Sequence, residues 1–233
     1  MNEQKISIIE DHDGRILTVH SCFFTIQGEG PFSGQRAVFL RLAGCNLQCP
    51  GCDTEYSSDD KYSVSQIVNL IARQIPEDSG SLDGMLVVIT GGEPFRQPIE
   101  RLVSSLLFHD AIVQIETNGT LYRELPWGHR NLHVVCSPKT RRINPRLEPF
   151  IKAFKYVVKA GEVDSFDGLP TRCLDHYCKD KVYRPSLLKL IYVQPMDEGD
   201  DEKNRANLEA VKDIVLFYGY RLCLQTHKLI GVQ

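Results

Sequence analysis

The sequence predicts an α/β protein: a parallel sheet curled into a barrel, with helices on its outside. Two observations carry this reading. Short apolar runs recur along the chain, and most end abruptly in a polar or glycine-bearing cluster. Between some of these runs lie segments with apolar residues at helical spacing. Strands that alternate with helices make right-handed βαβ units, and these build parallel sheets.

The first run, Val38 to Leu42, leads into Gly44 and three cysteines. A helix follows, because Ser63 and Gln66 have capping-box spacing and Ile67, Leu70, Ile71 and Ile75 share one face. Met85 to Ile89 is apolar without interruption, as in a strand buried on both faces, and ends in Thr90-Gly91-Gly92-Glu93-Pro94. Pro98 can open a helix carrying Ile99, Leu102, Val103, Leu106 and Leu107. Ala111 to Ile115 ends in Glu116-Thr117-Asn118-Gly119, and His133 to Cys136 ends in Ser137-Pro138-Lys139. Phe154 to Val158 is a further strand, and Leu188 to Val193 ends in Gln194-Pro195-Met196-Asp197. Asn207 to Tyr218 has helical spacing, and Leu222 to Leu224 ends in Gln225-Thr226-His227-Lys228. In a parallel barrel such clusters fall on the C-terminal rim, where α/β enzymes keep their active sites. The pattern points to an enzyme.

With 233 residues, 42% hydrophobic and 24% charged, the chain is a soluble globular one, large enough for a core that needs no staples. No repeat, low-complexity stretch or linker divides it, so a single domain over 1–233 is expected, with a cluster loop at 44–54 and a variable segment at about 140–187. A formal charge of −3 supplies no long-range attraction to nucleic acid or anionic membrane, and neither partner is expected. No apolar stretch approaches the ~20 residues of a membrane span, and the N-terminus has no secretory profile. The expectation is a cytoplasmic protein, in which cysteines serve metals or catalysis rather than disulfides.

Cys45, Cys49 and Cys52 have the spacing C-x3-C-x2-C on a loop just after a strand. A closed zinc site wants four ligands, whereas a [4Fe–4S] cluster held by three cysteines keeps one iron open for a ligand. Zinc completed by a distant Cys or His remains the alternative, with three unlinked thiols behind it. Cys22, Cys136 and Cys223 sit in apolar contexts and read as small core residues. Cys173, His176 and Cys178 stand close together in a polar, proline-bearing stretch, where the ordinary loop reading is preferred to a second metal.

The cysteine spacing resembles the signature of the radical S-adenosylmethionine (SAM) superfamily. The surrounding segments resemble one family within it, the 7-carboxy-7-deazaguanine synthases. They are Phe24-Thr25-Ile26-Gln27-Gly28-Glu29-Gly30, Arg41-Leu42-Ala43-Gly44-Cys45-Asn46-Leu47, Cys52-Asp53-Thr54, Val88-Ile89-Thr90-Gly91-Gly92-Glu93-Pro94, Ile115-Glu116-Thr117-Asn118-Gly119, Ser137-Pro138-Lys139, Gln194-Pro195-Met196-Asp197 and Leu224-Gln225-Thr226-His227-Lys228. They occur in family order from about residue 22 onward.

The resemblance implies a partial (incomplete) TIM-type barrel, the radical SAM core, with a [4Fe–4S] cluster on Cys45, Cys49 and Cys52. It implies SAM on the open iron, cleaved to a 5′-deoxyadenosyl radical that takes hydrogen from C6 of 6-carboxy-5,6,7,8-tetrahydropterin. Ring contraction with loss of ammonia then gives 7-carboxy-7-deazaguanine, on the route to queuosine and other 7-deazapurines. SAM would meet Gly91, Gly92, Glu93, Ser137, Lys139 and Gln194, and Mg²⁺ would sit at Thr54. The substrate would meet Gln27, Glu29, Arg41, Thr90, Glu116 and His227. Carboxylates suit the N–H edge of a pterin, and Arg41 suits its carboxylate. A homodimer and an electron donor such as flavodoxin or ferredoxin are family expectations. Taken singly, each of these residues also has an ordinary loop or strand role. The competing readings are a radical SAM activase acting on a glycine of a partner protein, and a zinc-bearing binding module, perhaps for RNA.

Overall fold

The structure is a computed structural model that describes residues 2–175, 180–186 and 188–232. Nine strands form one sheet: β1 (Ile16–Ile26), β2 (Arg36–Leu42), β3 (Lys61–Ser63), β4 (Leu86–Gly91), β5 (Ile112–Thr117), β6 (Leu132–Cys136), β7 (Ile151–Val158), β8 (Leu190–Pro195) and β9 (Arg221–Leu222). Their spatial order is β3-β1-β2-β4-β5-β6-β7-β8-β9. From β2 to β9 every pairing is parallel, the open, barrel-like arrangement the sequence predicts. β1 and β3 are additions at one edge, antiparallel to β2 and β1 respectively.

The helices are α1 (Val64–Gln74), α2 (Glu100–Phe108), α3 (Asp201–Tyr218) and the short α4 (Thr226–Leu229). The Ser63–Gln66 capping box forms as its spacing predicts. Val68 rather than Leu70 joins Ile67 and Ile71 in the core. α3 starts six residues before Asn207, because Asp200 caps it by accepting from the amides of Glu202 and Lys203. Among the described residues no α-helix lies in the crossovers from β5 through β8, which are irregular apart from one 3-10 turn. No described helix is long and apolar enough to cross a membrane.

The two faces of the sheet do different work. Side chains alternate along each strand, and one set packs outward under α1, α2 and α3. That set includes Leu40 and Leu42 of β2, Val87 and Ile89 of β4, Val113 and Ile115 of β5, and Phe154, Tyr156 and Val158 of β7. The other set points inward. Its lower tier is apolar, with Ala37, Leu86 and Val88 buried and Phe32, Phe39 and Ile112 packed on them. Two residues further along the strands the inward positions turn polar: Arg41 pairs in register with Thr90, and Gln114 and Glu116 follow on β5. A core of apolar tiers thus gives way to a polar chamber at the C-terminal ends.

The loop between β1 and β2 reaches from the lower apolar tier, where Phe32 packs, to the chain end, where the Gly28 carbonyl accepts from Thr226 N. It begins where Ile26 pairs with Arg36, at the start of β2. Phe32 reaches His133 near the start of β6, ring centroids 5.0 Å apart and edge-on. The Gly30 amide approaches Cys223 Sγ at 3.4 Å, beyond the end of β9.

Candidate active site

The chamber is a cavity of about 690 Å³. Each post-strand cluster contributes to its wall: Arg41 from β2, Thr90, Gly91 and Gly92 from β4, Glu116 from β5, Ser137 and Lys139 after β6, and Gln194 from β8. The cysteine loop supplies Cys45, Cys49, Cys52 and Thr54, and the chain end supplies His227. Gln27 and Glu29 reach it from the β1–β2 loop, where Glu29 also meets Gln225 of the chain end. All the sequence-predicted site residues except Glu93 therefore line one cavity.

Glu93 is the exception. It is wholly buried behind the wall, where its carboxylate accepts from Thr117 Oγ1 (2.7 Å), the Asn118 amide (2.7 Å) and the Phe95 amide (3.0 Å). Three donors already consume most of what a carboxylate can accept. Burial pushes it up to about 7 against their pull. In this structure Glu93 braces the turn after β5 from behind the cavity wall. Gly91 and Gly92 do serve close approach, first of all between two protein segments. A Cβ on Gly91, where φ is +123°, would meet Leu42 O at 2.1 Å, and one on Gly92 would meet Gly44 O at 2.1 Å. Only glycines let the end of β4 seat against the start of the cysteine loop.

The three thiols are free of disulfides. Burial pushes Cys45 up to about 12 and Cys49 up to about 11, and it also raises Cys52. The thiolates of this trio oppose one another's ionisation, while Lys139 and Arg41 favour it. Desolvated sulfurs of this kind ionise when a metal centre supplies positive charge, so the donor set fits an iron–sulfur cluster. Among the described residues no three His, Cys, Asp or Glu side chains converge on a point suited to a single metal ion. Cys136 and Cys223 are buried as expected, and Cys22 is half-buried. Cys173 lines the rim, whereas His176 and Cys178 lie outside the described residues.

The polar floor is tightly wired. Glu116 Oε1 accepts from Gln27 Nε2 (3.1 Å) and Gln114 Nε2 (2.9 Å), and Oε2 accepts from Thr90 Oγ1 (3.3 Å). Gln114 does not line the cavity and was not legible as a site residue; its side-chain Oε1 is buried without a hydrogen-bond partner among the described residues. Lys155, in mid-β7, was also missed: it forms an ion pair with Glu29, and both side chains are nearly buried. Burial works to raise Glu29, but the Lys155 ammonium prevails and holds the carboxyl below its usual range. Gln225 Nε2 donates to the other Glu29 oxygen at 3.0 Å.

Lys139 donates to Ser137 Oγ at 2.7 Å and has no ion-pair partner among the described residues. Burial, and then the nearby Lys155, depress it. Arg41 lies over the Phe23 ring, 5.6 Å from its centroid. His227 is lowered by burial and fits against Gly28, where a Cβ would meet Nδ1 at 2.0 Å. At the loop, Thr54 Oγ1 lies 3.3 Å from Asp53 Oδ1, a pair of hard oxygens of the kind Mg²⁺ prefers.

Comparison with known proteins agrees with this geometry. The family described as "4Fe-4S single cluster domain" matches residues 26–125. The 7-carboxy-7-deazaguanine synthase of Rhodospirillum rubrum is 44% identical over 231 residues, covering 94% of each chain. That of Rickettsia prowazekii is 40% identical, covering 95% of this chain and 91% of the relative. The crystal structure of QueE from Escherichia coli superposes with a TM-score of 0.64 at 22% identity, covering 90% of this chain and 93% of that one, a likeness of fold. Near-full-length identity at this level, with the shared motifs gathered on one cavity, shows that the chain belongs to the 7-carboxy-7-deazaguanine synthase family.

Proposed function

We propose that the protein is an iron–sulfur, SAM-dependent enzyme that converts 6-carboxy-5,6,7,8-tetrahydropterin to 7-carboxy-7-deazaguanine with loss of ammonia. One observation carries the reading: motifs scattered from Gln27 to His227 line a single cavity with the cysteine trio. Cys45, Cys49 and Cys52 would hold the cluster. When bound, the cluster and SAM supply the radical that takes hydrogen from C6 of the substrate.

The protein's own residues bind, orient and exclude water. Lys139, steered by Ser137 and without an ion-pair partner among the described residues, would take the carboxylate of SAM, and burial makes that charge pair strong. Gly91 and Gly92, which carry no side chain, would admit the methionyl group. Gln194 spends its carbonyl on Cys223 at 3.5 Å, which frees its amide N–H for adenosine. Arg41, its guanidinium over the Phe23 ring, would receive the substrate carboxylate. Glu116, with Gln27 and Thr90, faces the N–H edge of the pterin ring. Lys155 neutralises Glu29, so that this carboxylate accepts a substrate hydrogen bond without adding a second free negative charge beside Glu116. His227, kept neutral by burial, adds a hydrogen bond from the chain end. Thr54 and Asp53 would offer oxygens to Mg²⁺, which would supply positive charge for the substrate carboxylate. A homodimer and a one-electron donor of the flavodoxin or ferredoxin type complete the proposal.

The test is an anaerobic incubation of reconstituted protein with SAM, reductant, Mg²⁺ and the carboxy-tetrahydropterin. Formation of 7-carboxy-7-deazaguanine and ammonia is expected. Formation of 5′-deoxyadenosine without the deazapurine would assign the site another substrate and overturn the proposal.

A further inference from the structure

The cysteine loop makes few hydrogen bonds of its own. Cys52 N donates to Cys49 O (3.1 Å), and Gly44 N to Tyr56 O (2.9 Å) closes its base. A loop this irregular must satisfy its backbone elsewhere, and it does so on residues 2–10. These run along it in extended form, ahead of the segment matched by the iron–sulfur family. Ile6 pairs with Cys45 as a parallel bridge, and Ser7 N donates to Cys45 O at 2.7 Å.

Gln4 ties both limbs of the loop together. Its backbone carbonyl accepts from Gln48 Nε2 at 3.1 Å on the ascending limb. Its side chain turns to the descending limb, where Nε2 donates to Thr54 O (2.9 Å) and Oε1 accepts from Tyr56 N (2.7 Å). Asn2 Oδ1 sets the pose by accepting from Gln4 N (3.0 Å) and Gln4 Nε2 (3.1 Å). At the far end of the segment, Arg96 bonds Ile8 O and Glu10 Oε1 with one nitrogen, both at 2.9 Å, and Ala43 O with the other at 2.8 Å. The segment is thus anchored beyond the loop before it reaches across it.

We propose that residues 2–10 are a splint that holds the three cysteines in cluster-ready geometry, with Gln4 as its positioning residue. The proposal rests on the iron–sulfur reading of Cys45, Cys49 and Cys52. Without the splint the loop must be ordered at the moment of assembly, and every excursion of the loop exposes the cluster. Gln4 does not line the cavity, and it acts on the loop through the Thr54 carbonyl, the Tyr56 amide and the Ser57 hydroxyl.

The experiment follows the decay of the ~400 nm absorbance of reconstituted Gln4→Ala under an iron chelator, beside wild type, Gln4→Glu and Lys5→Ala. The loss of two loop hydrogen bonds predicts decay about tenfold faster for Gln4→Ala. Gln4→Glu keeps the acceptor for Tyr56 N but not the donor for Thr54 O, and should fall between. Lys5 is exposed on the same segment, and Lys5→Ala should decay like wild type. Thermal unfolding of the apo-proteins provides the second readout, and Gln4→Ala should melt with wild type. Equal decay rates for Gln4→Ala and wild type would overturn the splint. So would a large drop in the apo melting temperature, which would make Gln4 a general stability residue. Should wild type itself take up no iron, the iron–sulfur reading fails instead, and the two failures are told apart.

Discussion

Lys155, in the middle of β7, is ion-paired with Glu29 of the β1–β2 loop across the floor of the cavity, with side-chain exposures of only 13% and 12%. The pair joins the central strands to the loop that also meets Gln225 and Thr226 of the chain end. Breaking a buried pair from one side leaves a stranded charge, at a cost of about 3–5 kcal/mol. Lys155→Met should therefore destabilise the protein strongly in urea unfolding at neutral pH. The double variant Glu29→Gln/Lys155→Met should recover most of that loss, and equal losses in both would show that the charges are not coupled. The pH dependence has a definite sign. Because the folded value of Glu29 lies below its ordinary 4.5, the native state binds fewer protons than the unfolded chain in acid. The stabilisation is complete above about pH 4.5 and is lost as pH falls through the depressed folded value. The stability gap between wild type and Glu29→Gln should narrow over that acid range.

Glu93 is a brace. Glu93→Ala would leave Phe95 N, Thr117 Oγ1 and Asn118 N buried without their acceptor. A loss of about 2–4 kcal/mol in the apo-protein is expected from unsatisfied groups of this kind. Unchanged apo stability combined with weakened SAM binding would instead assign Glu93 a direct cofactor contact.

Gly28 leaves room for His227. Gly28→Ala puts a Cβ within 2.0 Å of Nδ1 and 2.9 Å of the His227 backbone nitrogen. The chain end must then move away from the Gly28 carbonyl, which accepts from Thr226 N (3.3 Å) and Thr226 Oγ1 (3.1 Å). The expected outcome is a raised substrate KM and faster proteolysis after residue 225, with little change in unfolding midpoint. Wild-type KM in this variant would detach His227 from the substrate.

What the sequence made legible, and what it did not, has a physical pattern. The parallel strands are apolar runs with abrupt polar ends, so β4 through β8 were readable, and so were the clusters that line the cavity. β1 was not, because most of its residues are half-buried and its polar His20 and Ser21 interrupt any alternation. Without β1, nothing in the sequence says that the loop carrying Gln27 and Glu29 folds back to Glu116 and Lys155. Lys155 stands between Phe154 and Tyr156 and reads as the solvent side of an alternating strand, whereas in a barrel that side is the interior. Among the described residues the crossovers from β5 to β8 hold no α-helix, so no 3.6-residue period marks them. The role of Gln4 is carried by main-chain contacts across a gap of some fifty residues, and local sequence holds no signal for it.

The account stands on the cysteine trio gripping a cluster at the mouth of the cavity. Its most direct measurement is the rate of 7-carboxy-7-deazaguanine formation, under anaerobic reconstitution, by Cys45→Ala, Cys49→Ala and Cys52→Ala beside wild type. Product from wild type and none above background from each variant, together with loss of iron from all three, is the predicted result. A variant that turns over at the wild-type rate would contradict it.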